Sequence, residues 1–145
     1  MSLTVVACLL GVPQAARAAQ IWTASGATKI RPLAPPPSSA PTSAQLFAAK
    51  NEFESFQVVV TGPATGVQMH LDALSDPSGH SIGGRDVVLY REALLNVASP
   101  TGGDGAAGLW PDALIPDVDP IVGEKRKAFP FDVPAGQSIA VLIDI

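Results

Sequence analysis

Gln137-Ser138-Ile139-Ala140-Val141-Leu142-Ile143-Asp144-Ile145 is the stretch that decides the fold. Ile139, Val141, Ile143 and Ile145 recur at period two, the signature of a β-strand, and the residues between them are also mostly apolar, as in a strand buried in a core. No turn, cap or polar tail follows Ile145 in the sequence. Chain ends fray unless something ties them down, so this reading predicts that the native polypeptide continues.

Working outward, Phe53 to Thr61 is the strongest strand, with Phe56, Val58 and Val60 on one face and Ser55, Gln57 and Thr61 on the other; Gly62-Pro63 closes it. Val67, Met69, Leu71 and Ala73 alternate with Gln68, His70 and Asp72, which predicts a half-buried strand. Asp86 to Val97 reads as extended, its β-branched entry outweighing a possible helix around Glu92-Leu95. Asp76-Pro77-Ser78-Gly79 is turn chemistry. Gln20-Thr23 and Ala27-Arg31 are short extended pieces hinged at Ser25-Gly26, the proline-rich run Pro32-Pro41 is a surface connection, and a strand resumes at Ala44-Ala49. Ala98-Gly108 is a glycine-rich loop and Trp110-Pro134 a long irregular segment.

The 145 residues carry 14 prolines and 13 glycines between short apolar runs, which disfavours helices. With 47% hydrophobic and 15% charged residues the chain is too apolar to be disordered. The expected fold is all-β: an antiparallel β-sandwich, immunoglobulin- or jelly-roll-like, with long proline-rich loops. At a net charge of −4, with a single short basic cluster at Lys125-Arg126-Lys127, the sequence lacks the basic face that nucleic acid requires.

Leu3 to Val12 is an apolar run of signal-peptide length, too short to cross a bilayer; Pro13 breaks it, and Ala16-Arg17-Ala18 offers a small-x-small cleavage site. Residues 1–18 are therefore read as an export signal lacking a basic n-region, and residues 19–145 as one β-sandwich domain, incomplete at its C-terminus. Secretion to the periplasm, cell surface or medium follows, with no membrane attachment after cleavage. Cys8 lies too early in the apolar run for a lipoprotein box, and cleavage removes this single cysteine, so the mature domain has no disulfide and no thiol nucleophile.

Three segments together carry a resemblance: Ala48-Ala49-Lys50-Asn51-Glu52-Phe53-Glu54-Ser55-Phe56-Gln57-Val58-Val59-Val60, then Leu89-Tyr90-Arg91-Glu92-Ala93, then Trp110-Pro111-Asp112-Ala113-Leu114-Ile115-Pro116. From Ile21 to Ile145 the chain resembles the N-terminal β-sandwich of bacterial proteins related to glycoside hydrolase family 123, which carry domain of unknown function 4091. The resemblance implies secretion, a carbohydrate-related setting and a downstream (β/α)8 barrel that carries the catalytic acids. That barrel is not in this sequence, so no catalytic residue transfers, and the implied role is that of an accessory domain packing beside the barrel. A stand-alone carbohydrate-binding or adhesion module is the alternative, with carbohydrate as its partner.

Several constellations admit both a chemical and a plainer role. Glu52 and Glu54, at i and i+2, mimic a glycosidase acid pair, but they suit far better a strand entry in which they bind a neighbouring turn or Arg91. Lys50 and Asn51 suit a tight turn, since asparagine tolerates left-handed backbone geometry. Asp112, Asp117, Asp119 and Asp104 have calcium-loop character, but the adjoining Pro111, Pro116 and Pro120 suit aspartates that cap turns. No metal and no cofactor is assigned. Trp22, Tyr90, Trp110, Phe129 and Phe131 are candidates for an aromatic platform for sugar rings, Trp110 foremost, the plainer role being packing at a domain junction or into the sandwich. His80 reads as a turn residue, and the absence of a Gly-x-Ser-x-Gly elbow leaves a serine hydrolase unsupported. The candidate domain-interface or sugar-contact residues are Trp110, Asp112, Leu114, Arg126 and Phe129, within a segment Leu109-Phe131 expected to form a docking surface.

Overall fold

The computed structural model describes residues 18–102 and 105–145. The export signal and Cys8 lie almost wholly outside these residues, and Asp104 also falls outside them. Among the described residues there are nine strands: β1 (Gln20–Ser25), β2 (Ser55–Thr61), β3 (Ala64–Val67), β4 (Ala73–Ser75), β5 (Ser81–Gly83), β6 (Val88–Val97), β7 (Gly108–Pro116), β8 (Phe131–Val133) and β9 (Ser138–Asp144). Their only helical element is a single 3-10 turn, Gly84–Asp86. All strand pairings are antiparallel, and the fold is β-sandwich-like.

The main sheet runs β1-β2-β9-β6-β7. Its centre is β9, flanked by β2 with Val58 opposite Val141 and by β6 with Arg91 opposite Val141. Burial on both faces explains the nearly continuous apolar run of β9. One face carries Val60 and Val141 beneath Phe131 and Val133 of β8, with Ala64, Val67, Met69, Leu89, Phe129 and Ile139 packed around them. The two-stranded β3–β8 sheet is thus the second layer. The opposite face carries Trp22, Val59 and Ala140 beneath Ile30, with Ala24 and Ala40 alongside. There the cover is a crossing segment, residues 26–34. Gly62 fits where the chain leaves β2 because a side chain would run into the Val133 and Pro134 carbonyls.

Gln57 shows how the crossing segment is held. It lies on the face of Trp22 and Val59, 1% exposed, and its amide nitrogen donates to the carbonyls of Ser25 (2.9 Å), Gly26 (3.3 Å) and Thr28 (2.6 Å). Crossing backbone that has no ladder partners needs such donors.

Four expectations are corrected. Ala44–Ala49 is exposed and forms no strand, because the outer side of β1 is already met by Pro41 and Ser43, which accept from the Thr23 N–H (2.8 Å) and hydroxyl (2.9 Å to Ser43). Val67–Ala73 is not one strand: β3 ends at Val67 after a register shift around Gly66, whose φ is +63°, and β4 begins only at Ala73. Met69 still packs on the core, without a ladder. Trp110–Pro134 is not irregular throughout, since β7 occupies its first part. Prolines are tolerated there because β7 is an edge strand. Trp22 and Phe131, offered as sugar-platform aromatics, are buried core residues.

Candidate functional site

Trp110 lies near the start of β7, opposite Leu95. Its ring is covered on one side by the Arg31 guanidinium, 4.5 Å from the ring centre, and its indole N–H donates to the Ala106 carbonyl at 2.6 Å. The remaining surroundings are a shallow cavity of about 480 Å³ shared with Val97, Pro100, Thr101, Gly102, Gly105 and Ala106. Half of what a sugar platform needs is therefore already engaged within the chain.

Asp112 is the extra residue of a β-bulge: Ala93 faces Ala113 and Leu94 faces Pro111, leaving Asp112 without a partner across the ladder. Its carboxylate sits 3.9 Å from Lys29 Nζ, an exposed and weak pairing, while the same ammonium donates to the Pro111 carbonyl at 3.0 Å. Leu114, opposite Glu92, is exposed.

Beyond β7 the chain turns back on itself through a Val118–Lys125 bridge. Asp119 organises this turn. Its carboxylate accepts from the Ile121 and Val122 amides (2.9 and 3.0 Å) and from Arg126 (2.8 Å). The Arg126 hydrogen bond, helped by the two amides, holds the Asp119 pKa down at about 2. Arg126, proposed from the sequence as a contact residue, is spent on Asp119 and Glu124 (3.1 Å). Phe129 packs against Phe131, ring centres 5.8 Å apart, and lines a cavity of about 520 Å³ with Met69, Leu71, Arg85, Leu89 and Val118. The five candidate residues therefore do not converge: Trp110 and Phe129 line different cavities, Asp112 and Leu114 lie on the edge strand β7, and Arg126 is held in the turn beyond it.

Of the candidate carboxylates for catalysis and calcium, Glu52 and Asp119 hold turns. Glu52 and Glu54 both precede β2. The Glu52 carboxylate accepts from the Ala49 amide at 2.7 Å, closing a turn in which Asn51 has φ +64°. Lys50-Asn51 is thus the tight turn its sequence predicts, and Glu52 binds that turn. Arg91 donates instead to the Lys127 carbonyl. The Glu54 backbone exchanges hydrogen bonds with Ile145, both 3.0 Å. Among the described residues no group of three or more His, Cys, Asp or Glu side chains is placed to hold a metal ion. His80 is the expected turn residue, bonded to the Asp76 carboxylate at 2.9 Å, and that bond lowers the Asp76 pKa.

The structure adds a residue the sequence did not single out. Glu92 is 5% exposed, and its Oε2 has no hydrogen-bond partner. Burial raises its pKa, and Lys29 opposes the rise without reversing it. Strand alternation puts Glu92 on the Trp22 face, but only the path of the crossing segment makes that position dry. No protein-family model and no curated protein matches the chain.

Proposed function

We propose that this chain is the accessory N-terminal β-sandwich of an exported, glycoside-hydrolase-like protein, packing beside a downstream barrel and not catalytic by itself. The observation that carries this reading is the turn Phe47–Phe53. Its centre, Ala49 to Glu52, is closed by Asn51 at φ +64° and by the Glu52 carboxylate, and it is flanked by Phe47 at 85% and Phe53 at 77% exposure. Aromatic residues are enriched at protein interfaces. Leu114 on β7 and Val118, Ile121 and Val122 beyond it add exposed apolar surface, which favours them over Trp110 and Phe129 as docking groups. The Glu52 carboxylate is engaged by the Ala49 amide, so Glu52 and Glu54 do not form a free acid pair.

The test is to read the gene beyond Ile145 and compare the complete product with residues 19–145. A barrel-length extension is expected. Phe47→Ser with Phe53→Ser should lower the melting temperature of the complete protein and leave that of the isolated domain unchanged. A stop codon directly after Ile145 overturns the reading.

The second reading, a carbohydrate-binding or adhesion module, is favoured by the cavity at Phe129, whose volume of about 520 Å³ is that of a small-ligand pocket. Its test is glycan binding by residues 19–145 that is lost in Phe129→Ala.

A further inference from the structure

The two edges of the main sheet are closed by different means. At β1 the guard is main chain, the Pro41–Ser43 stretch bonded to Thr23. At β7 it is two cationic side chains from the crossing segment. Arg31 donates to the carbonyls of Ala107 (2.8 Å) and Leu109 (3.3 Å), and Lys29 donates to that of Pro111 (3.0 Å).

Two of the acceptors, Leu109 and Pro111, alternate along β7, and Ala107 precedes the strand. In an antiparallel ladder, alternate residues direct both N–H and C=O away from the partner. Pro111, which has no N–H, sits opposite Leu94 at such a position. Leu109 and Pro111 therefore present the outward row of an edge strand, the row through which a further strand adds, and the Ala107 carbonyl lies immediately before it.

That row is self-complementary. Two copies placed antiparallel about Leu109 would exchange Leu109 N–H to Leu109 C=O bonds in both directions. Ala107 N–H would reach the Pro111 C=O of the other copy, and the reverse. Proline at 111 accepts in this register but has no N–H to return, so the Ala107 carbonyl of each copy is left without a ladder donor and four bonds hold the pair. The arrangement is isologous and closes as a dimer. Leu109, 41% exposed at its centre, would meet its own copy. The two carbonyls it uses, Leu109 and Pro111, are ones that Arg31 and Lys29 occupy. We propose that Lys29 and Arg31 hold the β7 edge closed against a second copy of this chain, and that freeing these carbonyls turns the edge into a two-fold dimer interface centred on Leu109.

The test is sedimentation or light scattering across a concentration series, with hydrogen exchange read at Ala107 and Leu109. The parent protein should stay monomeric. Lys29→Ala with Arg31→Ala should double in mass as concentration rises, with both amides gaining protection. Adding Leu109→Lys, which sets two like charges face to face at the two-fold centre, should restore the monomer. Arg31→Ala alone, which frees two of the three carbonyls, should give an intermediate shift. Each of four results overturns the proposal: a folded double variant that stays monomeric, dimerisation insensitive to Leu109→Lys, a parent protein already dimeric through this edge, or unfolding of both the single and double variants. The last would make these exposed contacts part of the fold and not a guard upon it.

Discussion

The amide nitrogen of Gln57 lies 2.6 Å from the carbonyl oxygen of Thr28, tying the middle of the second strand to a segment that crosses above it. Because the amide also reaches Ser25 and Gly26, one side chain satisfies a whole stretch of crossing backbone.

Gln57→Leu keeps the volume and removes the donor. Leaving a buried acceptor unpaired costs about 1–3 kcal/mol, and a loss of that order is expected in the denaturant midpoint, with the slope unchanged. Gln57→Glu should be worse at neutral pH, since an ionised carboxylate offers only acceptors to three carbonyls, and should recover partly in acid as the carboxyl regains a proton. Equal stability of Gln57→Glu and the parent at neutral pH would show that the crossing segment is held by other means.

Glu92 gives a pH dependence of the opposite kind from most carboxylates. Burial raises its pKa above the ordinary 4.5, so the folded state favours its protonated form. The stabilisation linked to this group is complete below the ordinary value and is lost as pH rises through the raised one. Glu92→Gln should match the parent below about pH 4 and exceed it at neutral pH, by about 1–3 kcal/mol, the scale of an unsatisfied buried polar group. Thermal unfolding at both pH values measures the gap. A gap that is independent of pH would mean that the Glu92 pKa is the same folded as unfolded, and a gap that changes with pH in the opposite sense would mean that Glu92 is ionised and paired when folded.

What the sequence shows and hides follows from the same geometry. Strands β2, β6 and β9 are legible because period-two alternation and β-branched runs report local backbone directly. The Lys50-Asn51 turn is legible because Asn51 needs a left-handed φ that few residues accept. β7 is hidden because Pro111 and Pro116 read as breakers, and only the knowledge that β7 is an edge, with Pro111 directed away from β6, makes them acceptable. The burial of Gln57 and Glu92 is hidden for another reason. Both lie on the face covered by residues 26–34, and no periodicity in β2 or β6 records what an unpaired segment will do above them. Lys29 and Arg31 show alternation in an extended piece, but the carbonyls they reach lie some eighty residues away. The candidate contact residues were chosen by composition along one segment, so they scatter once that segment becomes an edge strand and a turn.

Asp119 should titrate far below an ordinary aspartate. Its folded pKa of about 2 lies under the ordinary 3.8, so its contribution to holding the turn is present above about 3.8 and is lost as pH falls through about 2. A carboxyl carbon titration followed by NMR should find that low midpoint. Arg126→Ala should raise it, since the Arg126 hydrogen bond is the largest cause of the depression. The Ile121 and Val122 amides, which the carboxylate accepts from, should exchange faster in Asp119→Ala at neutral pH. A midpoint near 3.8 in the parent would show that the Asp119–Arg126 contact is not maintained in solution.

Trp110 tests whether the start of β7 belongs to the core or to the surface. Its contacts are a cation–π stack with Arg31 and one hydrogen bond to Ala106. An exposed cation–π contact is worth about 0.5–1 kcal/mol and a typical hydrogen bond about 0.5–1.5 kcal/mol. Trp110→Ala should therefore cost about 1–2 kcal/mol in residues 19–145, well short of the roughly 3–5 kcal/mol of a buried aromatic. Trp110→Phe keeps a ring beneath Arg31 and loses only the indole N–H, so it should fall between the parent and the alanine variant. The order of the three midpoints decides between the two contributions: phenylalanine close to the parent assigns the loss to the stack, phenylalanine close to alanine assigns it to the Ala106 hydrogen bond. A loss of core size in Trp110→Ala would place the indole inside the sandwich, and the edge of β7 could then no longer be treated as a surface closed by side chains alone.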